Sequence, residues 1–214
     1  MTQTTENEEP EVIVIDDSDD EKNDEDGWET VPSKRSRKKK PPQRPPVPVP
    51  SNNAFNPFMI MLVGIPGSGK SFFSQTLVNA NPAKYERICQ DVLKSRQRCE
   101  IACRKALRTG KTVIIDRCNF DRDQRDTFMS IAHEFNVMVD CVVFRYRKEA
   151  CIVRCEERNH HETIQPRDAR SVVSRMDQMF RPPRRGGSGE NFRSLCEVTS
   201  YDEANGIASR YLAS

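Results

Sequence analysis

Eight consecutive residues, Gly64-Ile65-Pro66-Gly67-Ser68-Gly69-Lys70-Ser71, combine backbone freedom, a cation and a hydroxyl at fixed spacing. The pattern Gly-x4-Gly-Lys-Ser suits the cradling of a phosphate chain. Its glycines let backbone N–H groups turn toward phosphate oxygens, and a helix starting there adds a favourable dipole. Lys70 is placed to reach the β and γ phosphates, and the Ser71 hydroxyl to ligate Mg2+. The expected ligand is ATP or GTP. A second group runs from Cys89 to Cys99 and contains Asp91, Lys94, Arg96 and Arg98. Asp91 follows Tyr85 to Ile88, which reads as a short strand, so its carboxylate falls at a strand end near the loop. There it can take the proton of an attacking hydroxyl, or cap the helix that follows. Lys94, Arg96 and Arg98 suit a phosphate carried by the acceptor.

These residues need a scaffold that brings strand ends together. Phe58 to Val63 is a continuous apolar run leading straight into the loop, and Ser71 to Asn79 is compatible with a helix. Thr112 to Asp116 reads as a buried strand ending in a carboxylate, and Val137 to Phe144 as another strand. Helical stretches are expected near 91–108, 121–135, 148–159 and 167–180. Strands alternating with helices imply a parallel sheet covered on both faces. Ligands of such sheets sit at the carboxyl ends of the strands, where both the glycine loop and Asp116 fall.

The 214 residues are unevenly composed. Residues 1–30 hold 13 acidic side chains and one base, Lys22, whereas 34–44 hold seven bases and no acid. Six of the 14 prolines lie within 41–50. Such stretches bury too little apolar surface to offset the entropy of ordering, so 1–54 is expected to be a disordered arm. Residues 55–214 are expected to form one folded domain, with 26 Lys and Arg against 19 Asp and Glu. That excess of seven positive charges suits a polyanion such as nucleic acid, and also a nucleotide alone. The N-terminus is acidic, with no apolar core of a signal peptide, and no run approaches the roughly 20 apolar residues of a membrane span. The eight cysteines are thus expected to be reduced thiols of the cytosol or nucleus. Cys151, Cys155, His160 and His161 have irregular spacing for a zinc set; small buried residues on one helix is the plainer expectation.

Within the arm, Val12-Ile13-Val14-Ile15 precedes Asp16, Asp17, Ser18, Asp19 and Asp20. A β-branched run with an acidic flank can add a strand to a partner's sheet edge. It resembles a SUMO-interacting motif, with a chance apolar patch as the alternative. Lys34 to Lys40 looks like a nuclear localisation signal, or an arm for nucleic acid.

The loop and the stretch from Gln90-Asp91 to Ser95-Arg96-Gln97-Arg98-Cys99 resemble the kinase domain of the polynucleotide kinase/phosphatase family. A nearer likeness is the P-loop kinase module of plant aprataxin-like proteins, which has a stretch similar to Ile115 to Arg125 and a counterpart of Cys151 to Arg154 with Arg158 and His161-Glu162. The likeness covers about residues 57–199 and implies an α/β P-loop kinase fold. It implies Asp91 as the general base for a 5′-hydroxyl, and Asp116 and Asn119 near Mg2+ or the acceptor. Arg154 and Arg158 would be lid residues facing the transferring phosphoryl group, a place where an arginine has large catalytic effect. The Asp-x-Asp-x-Thr of the phosphatase half and the His-x-His-x-His of the aprataxin half do not occur in the sequence. The expectation is an ATP-dependent polynucleotide 5′-hydroxyl kinase of the nucleus. A small-molecule P-loop kinase and a catalytically silent ATP-binding adaptor of SUMO-modified partners are the alternatives.

Overall fold

A computed structural model describes residues 56–157, 164–184 and 190–214. The arm 1–54, with its SUMO-like and nuclear-localisation-like segments, lies outside the described residues, as do Arg158, His160, His161 and Glu162.

Five strands form one parallel sheet: β1 (Met59–Val63), β2 (Tyr85–Cys89), β3 (Thr112–Asp116), β4 (Val139–Phe144) and β5 (Ser194–Val198), in the order β2-β3-β1-β4-β5. Every residue of β1, β3 and β4 is buried. They are continuous apolar runs because helices cover both faces, so neither side of the pleat meets water.

The period-two geometry of a strand sorts these runs into two cores. Met59, Met61, Val63, Val113, Ile115, Cys141 and Val143 face α3 (Arg96–Arg108) and α4 (Arg122–Glu134), meeting Cys103, Leu107, Phe128 and Ile131. Ile60, Leu62, Ile114, Val142 and Phe144 face α1 (Lys70–Ala80) and α7 (Tyr201–Ala213), meeting Phe73, Leu77 and Ile207. A third cluster joins Ile65 of the loop to α5 (Lys148–Glu156) and α6 (Ala169–Met179) through Cys151, Ile152, Cys155, Ala169 and Val173. Cys151 and Cys155 are thus buried packing residues, and all eight cysteines are free. No helix among the described residues is long and apolar enough to cross a membrane.

The helix expected over 91–108 is two helices. A short α2 (Gln90–Leu93) ends at Lys94, whose φ of 64° is left-handed. Ser95 then starts α3, its hydroxyl accepting the Arg98 N–H at 3.1 Å. The break turns α2 away from α3, so Asp91 sits on its own turn and Ser95, not Asp91, caps the longer helix.

One buried ion pair ties the loops at the carboxyl end of the sheet. Arg125 on α4 and Glu190 are almost wholly buried, with two hydrogen bonds of 2.5 and 3.2 Å between them. The same guanidinium donates to the carbonyls of Asn119 at 3.0 Å and Arg181 at 2.9 Å. Replacing one partner leaves the other charge buried alone. Arg125→Met is expected to lower stability by about 3–5 kcal/mol, a fall in melting temperature of roughly 10 °C for a domain this size. Arg125→Met/Glu190→Met together are expected to recover most of that loss; thermal unfolding of the single and double variants checks both.

Candidate active site

The loop leaves β1 at Gly64 and enters α1 at Lys70. Gly67 and Gly69 have φ of 79° and 93°, left-handed values that non-glycine residues rarely adopt. Gly67 has a second constraint, because a Cβ there would lie 2.3 Å from the Cys151 carbonyl oxygen and 2.9 Å from the Cys155 sulfur. The loop therefore packs backbone to backbone on α5. Gly67→Ala is expected to cost on the order of 3 kcal/mol, from strain and overpacking together, and to weaken ATP binding more than tenfold. Denaturant unfolding and nucleotide titration measure the two effects.

Lys70 is 7% exposed, and its ammonium donates to the Ile65 carbonyl at 2.8 Å and Ser68 Oγ at 3.2 Å. Ile65, Pro66 and Ser68 are buried, so the loop's shape is fixed by packing as well as by glycine. The Gly64 N–H donates to the Cys118 carbonyl at 3.0 Å, joining the loop to the segment after β3.

Asp116 closes β3 beside the loop. Ser71 Oγ lies 3.4 Å from its Oδ1, Ser74 Oγ donates to Oδ2 at 3.0 Å, and Arg87 Nε donates to Oδ2 at 2.7 Å. Its oxygens are committed to the loop helix and to Arg87, next to the Ser71 hydroxyl. A hydroxyl and a carboxylate are hard oxygen donors. Together they fit Mg2+, which takes few protein ligands and fills its octahedron with water and phosphate oxygens.

Asn119 lies three residues further on. It is fully buried with φ 45°, and its amide donates to the Leu62 carbonyl at 2.7 Å. Through that bond it braces the segment after β3 against β1, while its Oδ1 is buried without a hydrogen-bond partner. Lys94 and Arg98 are both exposed around the α2–α3 break.

Asp91 comes to the same corner through the sheet. Cys89, which ends β2, pairs with Asp116, which ends β3. Asp91, two residues on, therefore leaves the sheet at the level of Asp116. Burial pushes the pKa of the Cys118 thiol, which follows Asp116 by two residues, above its ordinary value.

Arg154 on α5 donates to the Gly67 carbonyl at 3.4 Å and stacks over Tyr146, its guanidinium carbon 4.6 Å from the ring centroid. Beside it, a cavity of about 250 Å3 is lined by Gly67, Phe72, Tyr146, Arg154 and Tyr201 among others. Phe72 and Tyr201 are half exposed there, with ring centroids 5.6 Å apart. The sequence reading missed Arg87, Ser74, Arg125 and this aromatic pair. Ser74 was within reach, lying one helical turn after Lys70 and hence on the same face of α1.

A family model described as an AAA domain matches residues 59–101 and 95–183, more than half of the chain. The chain belongs to the AAA_33 family of AAA domains. The sequence of this AAA_33 chain is 37% identical over 133 residues to Transcription factor bHLH140 of Arabidopsis thaliana, covering 59% of this chain and 14% of that protein. It is 34% identical over 91 residues to the Bifunctional polynucleotide phosphatase/kinase of Schizosaccharomyces pombe, covering 42% of this chain and 22% of that one. The chain thus spans less than a quarter of either relative. In fold it resembles a fungal RNA kinase, with a TM-score of 0.56, 14% identity, and 72% of this chain and 82% of that one covered. Family and kinase relative agree on a P-loop kinase module, a phosphotransferase by class, and the structural likeness agrees on its fold.

Proposed function

We propose that this AAA_33 module transfers the γ-phosphoryl group of ATP to the 5′-hydroxyl of a polynucleotide. The observation that carries the reading is the corner where Ser71 Oγ of the loop helix lies 3.4 Å from the Asp116 carboxylate and Asp91 leaves β2 two residues after the Cys89–Asp116 pair. That corner supplies a phosphate cradle on one side and a carboxylate on the other, as in-line transfer between two oxygens requires.

The nucleotide lies along the loop, its phosphates on the backbone N–H groups and Lys70. Its base fits the cavity by Phe72, Tyr146 and Tyr201, whose rings favour stacking. Mg2+ would be held through Ser71, with Asp116 behind it, and supplies charge neutralisation on the phosphates when bound. Arg87 fixes the Asp116 carboxylate through a charge-assisted hydrogen bond. Asp91 accepts the proton of the attacking hydroxyl. Arg154 stands at Gly67, from which a guanidinium reaches phosphate oxygens; Arg158 is the other proposed lid residue. Lys94 and Arg98 meet the acceptor's charge. The basic balance of residues 55–214 and the kinase relative support a nucleic acid as that acceptor.

The arm 1–54 is read as the address of a nuclear end-processing factor: Lys34 to Lys40 for import, and Val12 to Ile15 for a SUMO-modified partner. The test of the enzymatic reading is transfer of labelled γ-phosphate from ATP to 5′-hydroxyl DNA and RNA oligonucleotides, with a sugar or nucleoside as control acceptor. Labelled oligonucleotide supports it. Label on the small acceptor alone identifies a small-molecule kinase, and ATP binding without transfer to any acceptor identifies a silent adaptor.

A further inference from the structure

The sheet ends at β5, and the outer edge of that strand is unpaired. Its register with β4 runs from Asp140–Ser194 to Phe144–Val198, and the Arg145 N–H donates to the Val198 carbonyl at 2.7 Å. In a parallel pair, alternate residues of a strand bond to the neighbouring strand. Ser194, Cys196 and Val198 therefore face β4, and the N–H and C=O groups of Leu195 and Glu197 point outward. Among the described residues those outward groups have no hydrogen-bond partner. An exposed edge is usually blunted by proline, lysine or a bulge. β5 reads Ser-Leu-Cys-Glu-Val, with neither proline nor lysine, and pairs with β4 at every residue. The opposite edge is guarded: the Tyr85 N–H of β2 is taken by the Asn81 carbonyl at 3.1 Å, and Lys111 holds Glu86 at 2.8 Å.

The space beside the β5 edge is shaped as well. Two cavities of about 550 and 510 Å3 share Cys196, Ile207 and Arg210, so they adjoin along the seam between β5 and α7. Gly206 forms part of the wall, and a Cβ there would meet nothing within 4 Å. Helix α7 runs back alongside the strand, because Ser200 starts it just after β5 and the Tyr211 hydroxyl reaches Asp140, the partner of Ser194, at 3.2 Å. The two ends of the seam thus differ in charge. Glu197 and Glu203 stand toward the carboxyl end of β5, and Arg210 stands toward its amino end. Arg210 is exposed, and among the described residues no carboxylate pairs with it.

We propose that the β5 edge takes up an extended segment of a partner protein as an added strand, its side chains lying in the β5–α7 seam. A row of outward N–H and C=O groups is matched by the backbone of another extended chain, which supplies donors and acceptors at the same spacing. The charges of the seam set the order of its side chains. An acidic residue belongs opposite Arg210, an apolar one over Ile207, and a basic one near Glu197 and Glu203. Glu203 and Arg210 are separated by about 10 Å of helix, which about three residues of an extended chain span. The proposal is independent of the kinase reading, since none of these residues belongs to the phosphate loop or the acceptor corner.

The test selects random nine-residue peptides, displayed on phage, against the full chain, and measures binding of the enriched peptides by anisotropy. Enrichment of alternating sequences with an acidic residue at one end is expected, and Arg210→Glu is expected to exchange that residue for a basic one. Two variants then separate backbone from side chain. Glu197→Pro removes one outward N–H, at an edge position where the ladder to β4 does not need it. It is expected to weaken binding about tenfold or more, because a peptide carbonyl is left unpaired. Glu197→Ala keeps the N–H and removes an exposed charge, an effect expected to stay within about threefold. Both variants are expected to keep the wild-type melting temperature and affinity for ATP. A second readout leaves the protein untouched: N-methylation of the peptide residues that face β5 is expected to abolish binding, and N-methylation of the alternate residues to leave it. Failure to enrich any peptide overturns the proposal. So do peptides that bind Glu197→Pro as tightly as the wild type, or that ignore which residues are methylated. A chain that self-associates in sedimentation through this edge, losing the association in Glu197→Pro and enriching no peptide, also overturns it and gives the edge to a second copy.

Discussion

Lys70→Ala is expected to reduce phosphoryl transfer by roughly a hundred- to thousandfold, the usual effect of removing one preorganised donor from a developing charge. That corresponds to about 3–4 kcal/mol of transition-state stabilisation. The ammonium is buried and held by the Ile65 carbonyl and Ser68 Oγ, so little reorganisation is needed when it meets a phosphate. Its removal also leaves the fully buried Ser68 hydroxyl without a charged neighbour. The assay therefore pairs kcat with the melting temperature. A large drop in kcat with folding intact assigns Lys70 to the transfer step. Full turnover removes it from the chemistry and leaves the loop a structural turn.

Asp91→Asn is expected to act on the other side of the reaction. Asparagine keeps the shape of the side chain but cannot take a proton, and general base catalysis contributes roughly a hundred- to ten-thousandfold. The dissociation constant for ATP is expected to stay within about twofold, since Asp91 leaves β2 and β3 stands between that strand and β1, which carries the loop. Nucleotide titration and steady-state transfer on the same preparation check both halves. Unchanged turnover would mean that another group accepts the proton and that the Asp91 carboxylate only orients the acceptor.

The nucleotide half of this site was legible in the sequence because it is local. A glycine pattern, a lysine and a serine within eight residues, after an apolar run, specify strand, loop and helix together. The three central strands were equally plain, being buried on both faces and hence apolar at every position. The edge strand β5 was not, because Ser194, Leu195, Cys196 and Glu197 are only partly buried or exposed and show no clean period. Helix α7 had a readable start in Ser200-Tyr201-Asp202-Glu203. Ser200 Oγ accepts the Glu203 N–H, and Glu203 accepts the Thr199 N–H, close to the reciprocal pattern of a capping box.

The acceptor half was harder because its partners are distant in sequence. Nothing near Asp116 announces Arg87, 29 residues earlier, as its ion partner. Nothing near Asn119 announces the Leu62 carbonyl, 57 residues away, that takes its amide. The burial of Asn119 is set by the sheet order, which spacing alone does not give.

The two bonds between the segment after β3 and the end of β1, from Asn119 to the Leu62 carbonyl and from Gly64 to the Cys118 carbonyl, have a thermodynamic corollary. Under the proposed function, donor nucleotide and acceptor would bind at the two ends of this short chain of hydrogen bonds. Any change that ATP makes in the affinity for the acceptor must then be returned by the acceptor as an equal factor in the affinity for ATP. On that reading the cradle and the acceptor corner form one equilibrium with two handles, and Asn119 is the joint between them.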